Sequence, residues 1–127
     1  KRGEYTMAEI LIVDDNEMNM RLFSDLLQTK GHHITECLEG TAALDLAKTI
    51  KPDLVLMDIQ MPKISGLAVI EQIRRTPEIA DTPIIAISAF AMKGDEEKIM
   101  ASGANAYISK PISIPVFFET VEANLPK

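Results

Sequence analysis

Tryptophan is absent from this 127-residue chain, tyrosine occurs twice, and there is a single cysteine, Cys37. One cysteine cannot form an internal disulfide, so the fold must be held by its apolar core, and a reducing compartment suits it. Cys37 itself reads as a half-buried strand residue rather than a reactive thiol. No apolar run approaches the roughly 18 residues needed to cross a bilayer, and no signal-peptide pattern opens the chain. Membrane insertion is therefore not expected, and the expected location is the cytoplasm. Positive charge is also scarce: 13 Lys and Arg face 19 Asp and Glu, a formal net charge of -6. Nucleic-acid binders draw much of their affinity from basic side chains on phosphates, so no direct nucleic-acid partner is expected. The absence of a GxxxxGK[ST] loop excludes a P-loop nucleotidase. No repeat, low-complexity tract or linker divides the chain, and its length with 46% hydrophobic residues fits one compact domain.

What is present is a rhythm. Apolar runs at Ile10–Val13, His33–Cys37, Leu54–Met57, Ile84–Ile87 and Ala106–Ile108 read as strands. Between and after them lie five segments of helical period. The first carries Met18, Leu22, Phe23, Leu26 and Leu27, with Gly31 expected as its C′ residue. The second starts at Gly40 and Thr41, turns Ala43, Ala47 and Ile50 to one side, and stops before Pro52. The third follows a loop holding Pro62 and Gly66 and points Leu67, Ile70 and Ile73 inward. The fourth runs through Glu96, Ile99 and Met100 to Gly103, and the fifth bears Phe117, Val121 and Leu125. The Met and Phe positions on these helices are expected to pack in the core. Strict alternation of strand and helix implies right-handed crossovers and a parallel sheet covered on both faces. The expected class is α/β, a flavodoxin-like (βα)5 doubly wound sheet with strand order 2-1-3-4-5. The domain is expected over residues 7–127, with Lys1–Thr6 a disordered arm or an appended remnant.

The polar residues that carry chemistry fall at the strand ends. Asp14 and Asp15 follow the first strand, Asp58 ends the third, Ser88 ends the fourth and Lys110 lies just past the fifth. In an open parallel sheet the C-terminal strand ends share one edge, where ligands bind at the point of reversed strand order. Three carboxylates gathered there repel by roughly 3 kcal/mol per pair at about 5 Å and an effective dielectric near 20. Either some are protonated or a cation neutralises them. An all-oxygen site with room for water suits Mg²⁺, and the lack of Cys and His at these ends disfavours Zn²⁺. Metal, carboxylate, ammonium and hydroxyl together match phosphoryl transfer to an aspartate. Each residue has a plainer reading: the Asp pair as a helix N-cap, Asp58 as a turn residue, Ser88 as a strand-end hydroxyl, Lys110 as a solvated surface lysine. Their joint placement on one edge, in order, is what carries the functional reading.

The segments LIVDDNEMN, LVLMDIQMPKISG, PIIAISA and AYISKPI resemble the receiver-domain motifs of bacterial two-component response regulators, in order and over Ala8 to about Leu125. NEMNMRLFSDLL, SAFAMKGDEEKI and AYISKPISI resemble single-domain cell-division regulators of the DivK type, wording that receivers of hybrid kinases share. The resemblance implies that Asp58 accepts a phosphoryl group from a histidine kinase or histidine phosphotransferase. It implies Asp15 as a direct Mg²⁺ ligand, Asp14 as one acting partly through water, and the Gln60 backbone carbonyl as completing the metal site with Asp58. Ser88 matches the switch hydroxyl, Lys110 the lysine that pairs with the phosphoryl group, and Tyr107 the switching aromatic. Lys110–Pro111 matches a peptide bond that is usually cis. The implied output is a protein target on the face of the fourth helix, fifth strand and fifth helix. Ser88 stands where threonine is commoner, and Gln60 and Phe90 stand where side chains affect how water reaches an acyl phosphate.

Other readings fit less well. A haloacid-dehalogenase-like phosphatase needs a second acid two residues after its nucleophile, where this chain has Gln60, and a lid insertion is lacking. A flavin-binding electron carrier would need a phosphate-holding loop after the first strand, where Asp14 and Asp15 repel phosphate. His32 and His33 read as an ordinary edge strand. A stand-alone regulator is preferred over a receiver cut from a hybrid kinase or larger regulator. The expected protein is a signalling phosphoacceptor that assists its own phosphorylation and dephosphorylation, not an enzyme in the ordinary sense.

Overall fold

The computed structural model describes residues 7–89 and 93–126. The arm expected at residues 1–6 and the position of Phe90 lie outside the described residues. Five strands, β1 (Glu9–Val13), β2 (His33–Cys37), β3 (Leu54–Asp58), β4 (Ile84–Ser88) and β5 (Ala106–Ser109), alternate with five helices. These are α1 (Glu17–Gln28), α2 (Ala43–Ile50), α3 (Gly66–Arg74), α4 (Lys93–Ala101) and α5 (Ile114–Asn124). All pairings are parallel and the strand order is β2-β1-β3-β4-β5, the doubly wound arrangement expected.

The sheet has a core on each face because successive strand residues point to opposite sides. Leu11, Val13, Val55, Met57, Ile84 and Ala86 meet the helices α2, α3 and α4 through Ala43, Ala47, Val69, Ile70, Ile73 and Ile99. Ile10, Ile12, Leu54, Leu56, Ile85 and Ile87 meet α1 and α5 through Met20, Phe23, Leu27, Phe117 and Val121. The Phe23 and Phe117 rings stack with centroids 5.4 Å apart, joining α1 to α5. Every residue of β3 and β4 is buried, which is why these segments read as unbroken apolar runs.

Several local expectations are corrected. The buried stripe of α1 is Met20, Phe23, Ser24 and Leu27, whereas Met18 is 82% and Leu22 40% exposed. Met100 on α4 is likewise exposed. Gly31 does adopt positive φ (87°), but the helix ends at its C-cap Thr29, so the glycine turns the chain two residues after the cap, one later than the C′ position expected. Gly40–Ala42 forms a short 3₁₀ turn before α2, and Lys51 takes the left-handed conformation that ends it. Cys37 is buried, not half-buried, and its thiol donates to the Glu39 carbonyl at 3.1 Å.

One structural device had no sequence signal. The Arg74 guanidinium donates to the carbonyls of Ala80, Thr82 and Gly103 and to Asn105 Oδ1 at 2.7–2.9 Å. Asn105 Oδ1 also accepts the Ile84 N–H. The end of α3, the approach to β4 and the exit from α4 are thereby tied to one side chain.

Candidate functional site

The chain moves from β1 outward to β2 and then crosses back to β3 on the other side of β1, so the order reverses between β1 and β3. Asp14 and Asp15 leave the end of β1 there, and Asp58 ends β3 beside them. Their carboxylates each offer an oxygen within 4.8 Å of the others. Asp14 and Asp58 are buried and Asp15 is exposed. The plain N-cap reading of the Asp pair does not hold, because Asn16 caps α1 by accepting the Asn19 N–H at 2.9 Å. Asp14 Oδ1 instead accepts the Asn16 N–H at 2.9 Å, and its Oδ2 is buried with no partner among the described residues.

Asp58 Oδ1 accepts the Gln60 N–H at 3.3 Å and the Lys110 ammonium at 3.4 Å. Lys110 reaches the site because its own N–H donates to the Ser88 carbonyl at 2.8 Å, extending the β4–β5 pairing past Ser88 and Ser109. The Lys110–Pro111 bond is cis, as expected. Ser88 is fully buried at the end of β4, one step beyond the Asp58–Ile87 pair. Tyr107 lies on β5, partly buried against the core on the α4 side. Burial pushes its hydroxyl pKa up, and the nearby Glu96 and Asp95 of α4 add to the effect. The expected site residues are thus assembled, with Tyr107 on the adjoining face. What is visible of Gln60 is its N–H on Asp58 and its side chain, whose Oε1 accepts the Ala89 N–H at 2.9 Å.

Electrostatics follow from burial. Asp14 is pushed up to about 6, chiefly by loss of water, opposed by the Asn16 N–H and raised further by Asp58. Burial also raises Asp58, while Lys110 and the Gln60 N–H pull it back. An anionic cluster with an orphaned buried oxygen is short of positive charge, and oxygens alone form it. That donor set fits Mg²⁺, which prefers a few carboxylates and retains water.

Comparison with known proteins agrees with this geometry. The family model of the response regulator receiver domain matches residues 10–122. The polar-differentiation response regulator DivK of Brucella anthropi is 51% identical over 116 residues, covering 91% of this chain and 94% of that protein. Among solved structures, chemotaxis protein CheY4 of Vibrio cholerae superposes with a TM-score of 0.88 at 25% identity, over 94% of this chain and all of that one. The receiver domain of a sensor histidine kinase from Pseudomonas aeruginosa, solved with a magnesium ion coordinated in its active-site cleft, gives 0.86 at 29% identity, covering 94% and 98%. No helix among the described residues is long and apolar enough to cross a membrane. Fold, acidic crevice and sequence relatives converge, and this chain belongs to the response regulator receiver domain family.

Proposed function

We propose that Asp58 is the phosphoacceptor of a Mg²⁺-dependent phosphorelay. The observation that carries this reading is a buried carboxylate at the end of the central strand, 3.4 Å from the Lys110 ammonium and grouped with Asp14 and Asp15. In the step envisaged, a carboxylate oxygen of Asp58 bonds to phosphorus as the bond to a donor histidine nitrogen breaks, and that nitrogen keeps the electron pair. Asp14, Asp15, Asp58 and the Gln60 backbone carbonyl would hold Mg²⁺, with Asp15 a direct ligand and Asp14 acting partly through water. The ion, when bound, supplies positive charge that offsets the cluster and the incoming phosphoryl oxygens. Lys110 supplies a second positive charge, and Ser88 supplies a hydroxyl donor one residue beyond Asp58's partner on β4. In this sense the domain assists its own phosphorylation and dephosphorylation.

The donor is a histidine kinase or histidine phosphotransferase, and the setting is the cytoplasm. The kinship with DivK supports a role as a cell-division and polarity regulator that acts by binding a protein, with the receiver domain taken to begin at residue 7. A haloacid-dehalogenase-like phosphatase is disfavoured because the position of its second acid holds Gln60, an amide with no acidic proton to transfer to a leaving group, whose Oε1 accepts a backbone N–H. The test is intact-mass analysis after incubation with acetyl phosphate and Mg²⁺. One phosphoryl group is expected on the wild type and none on Asp58→Asn; equal gain by both would overturn the assignment.

A further inference from the structure

We propose that the Gln60 side chain is a positioning residue that holds the end of β4 in its resting place and must give up its bond when the crevice takes an anion on Asp58. The second half rests on the phosphoacceptor reading above; the first does not. The ladder between β3 and β4 continues past Asp58 through the Ile59 N–H, which donates to the Ile87 carbonyl at 3.0 Å. In a parallel ladder the next bond would run from the Ala89 N–H to the Ile59 carbonyl. That carbonyl is instead taken by the Gly66 N–H at 3.0 Å, because the chain turns there into α3. Gln60 supplies the replacement: its Oε1 accepts the Ala89 N–H at 2.9 Å and carries the connection one rung further with a side chain.

The bond therefore spans the crevice from the residue after Ile59 to the residue after Ser88. It is exposed, so its net contribution is small, and a stronger acceptor can displace it. A phosphoryl group arriving on Asp58 brings three charged oxygens into a site whose donors are few, and charged acceptors form bonds about twice as strong as a neutral amide oxygen does. Gln60 thus occupies a donor that the charged state of the site has reason to claim. A glutamine is long enough to reach Ala89 from the β3 side and neutral, so it adds no fourth negative charge to the cluster.

The experiment compares wild type, Gln60→Met, which keeps the length and removes the acceptor, and Gln60→Glu, which restores an acceptor. Hydrogen exchange of the Ala89 amide, followed by NMR without any phosphodonor, should be about fivefold or more faster in Gln60→Met and return toward wild type in Gln60→Glu. In Gln60→Met the beryllofluoride concentration for half-saturation with Mg²⁺ should fall by a similar factor. Unchanged Ala89 exchange in Gln60→Met overturns the positioning role. Faster exchange with unchanged or higher half-saturation supports the contact and overturns its release on activation. If wild type forms no beryllofluoride adduct, the phosphoacceptor reading falls, and the exchange data alone decide the positioning role.

Discussion

Asp14 is out of electrostatic balance: one carboxylate oxygen accepts the Asn16 N–H, and the other is buried with no donor among the described residues. Its folded pKa of about 6 lies above the ordinary value of 3.8 that the unfolded chain would show. Below the lower value both states carry the proton and Asp14 has no effect on stability. As pH rises through the window between the two, the unfolded chain releases its proton first, so the folded state loses stability, by up to about 3 kcal/mol above pH 6. Thermal melts in chelator should therefore show a decline from pH 4 to pH 6.5 that flattens in Asp14→Asn, whose amide can donate to the neighbouring carboxylates. A decline of the same size in that variant would place its origin elsewhere. Mg²⁺ must displace the same proton, so its binding should weaken as pH falls below 6. At neutral pH the affinity should lie at about tens of micromolar to millimolar, since few protein ligands share the ion with water. Calorimetric titration of Asp15→Ala should show clear weakening, and unchanged binding would remove Asp15 from the metal site.

At the scale of elements, the site depends on how α3 begins. Ser65 caps it by accepting the Leu67 N–H at 3.1 Å, and Gly66 packs so closely that a Cβ there would run into the Asp58 carbonyl and lie 2.8 Å from Ile59 Cα. Ser65→Ala should cost about 1 kcal/mol. Gly66→Ala should cost about 1–3 kcal/mol and also displace Asp58, so chemical denaturation and Mg²⁺ affinity should change together. A Gly66→Ala variant of wild-type stability would mean that the backbone yields more readily than this packing implies. The sequence carries Gly66 as a loop signal, yet its reason is a close approach between backbones, which only the fold reveals. The same limit applies on α1. Hydrophobic residues at Met18, Leu22, Phe23, Leu26 and Leu27 fit a helix but cover too wide an arc to choose a face. The buried stripe includes Ser24, whose hydroxyl donates to Glu36 at 2.7 Å, so polarity there misleads. The strands were easier because β3 and β4 are buried on both faces, and the site residues were legible because a parallel sheet gathers its strand ends. The bond from Gln60 to Ala89 and the Arg74 clamp were not, since each depends on where neighbouring carbonyls turn.

For the whole molecule, the question is how a change at Asp58 reaches a surface large enough to bind a protein. Packing is uneven around the sheet. On one face α1 and α5 are joined to it by Met20, Phe23, Leu27, Phe117 and Val121, all buried. On the other, α4 buries only Ile99 among its described side chains, while Glu96, Glu97, Lys98 and Met100 are exposed. An element with so little buried apolar area opens at low free-energy cost, so α4 is the part of the structure best able to move. Its far end is not equally free, because Arg74 holds the Gly103 carbonyl just beyond it. Motion should therefore pivot about Gly103, with the beginning of α4 displaced more than its end. Tyr107 stands under this helix, near Asp95 and Glu96, on a strand whose neighbour ends on Ser88. Withdrawal of Ser88 toward a phosphoryl oxygen would change the space into which the Tyr107 ring can turn, and so link the crevice to the face of α4, β5 and α5. The segment from Ala89 to Gly94, whose alanines and glycine offer little steric resistance to such a change, lies in part outside the described residues. Complete conversion from 1:99 to 99:1 requires about 5.5 kcal/mol of preferential stabilisation, so one new hydrogen bond leaves a mixture of states and more contacts are needed to fill the active one. NMR with and without beryllofluoride should show large shifts in α4 and Tyr107, smaller ones near Gly103, and almost none in the Phe23–Phe117 core. Arg74→Met should extend the shifts past Gly103. Shifts confined to Asp14, Asp58 and Lys110 would mean that the charge on Asp58 is not transmitted through this face.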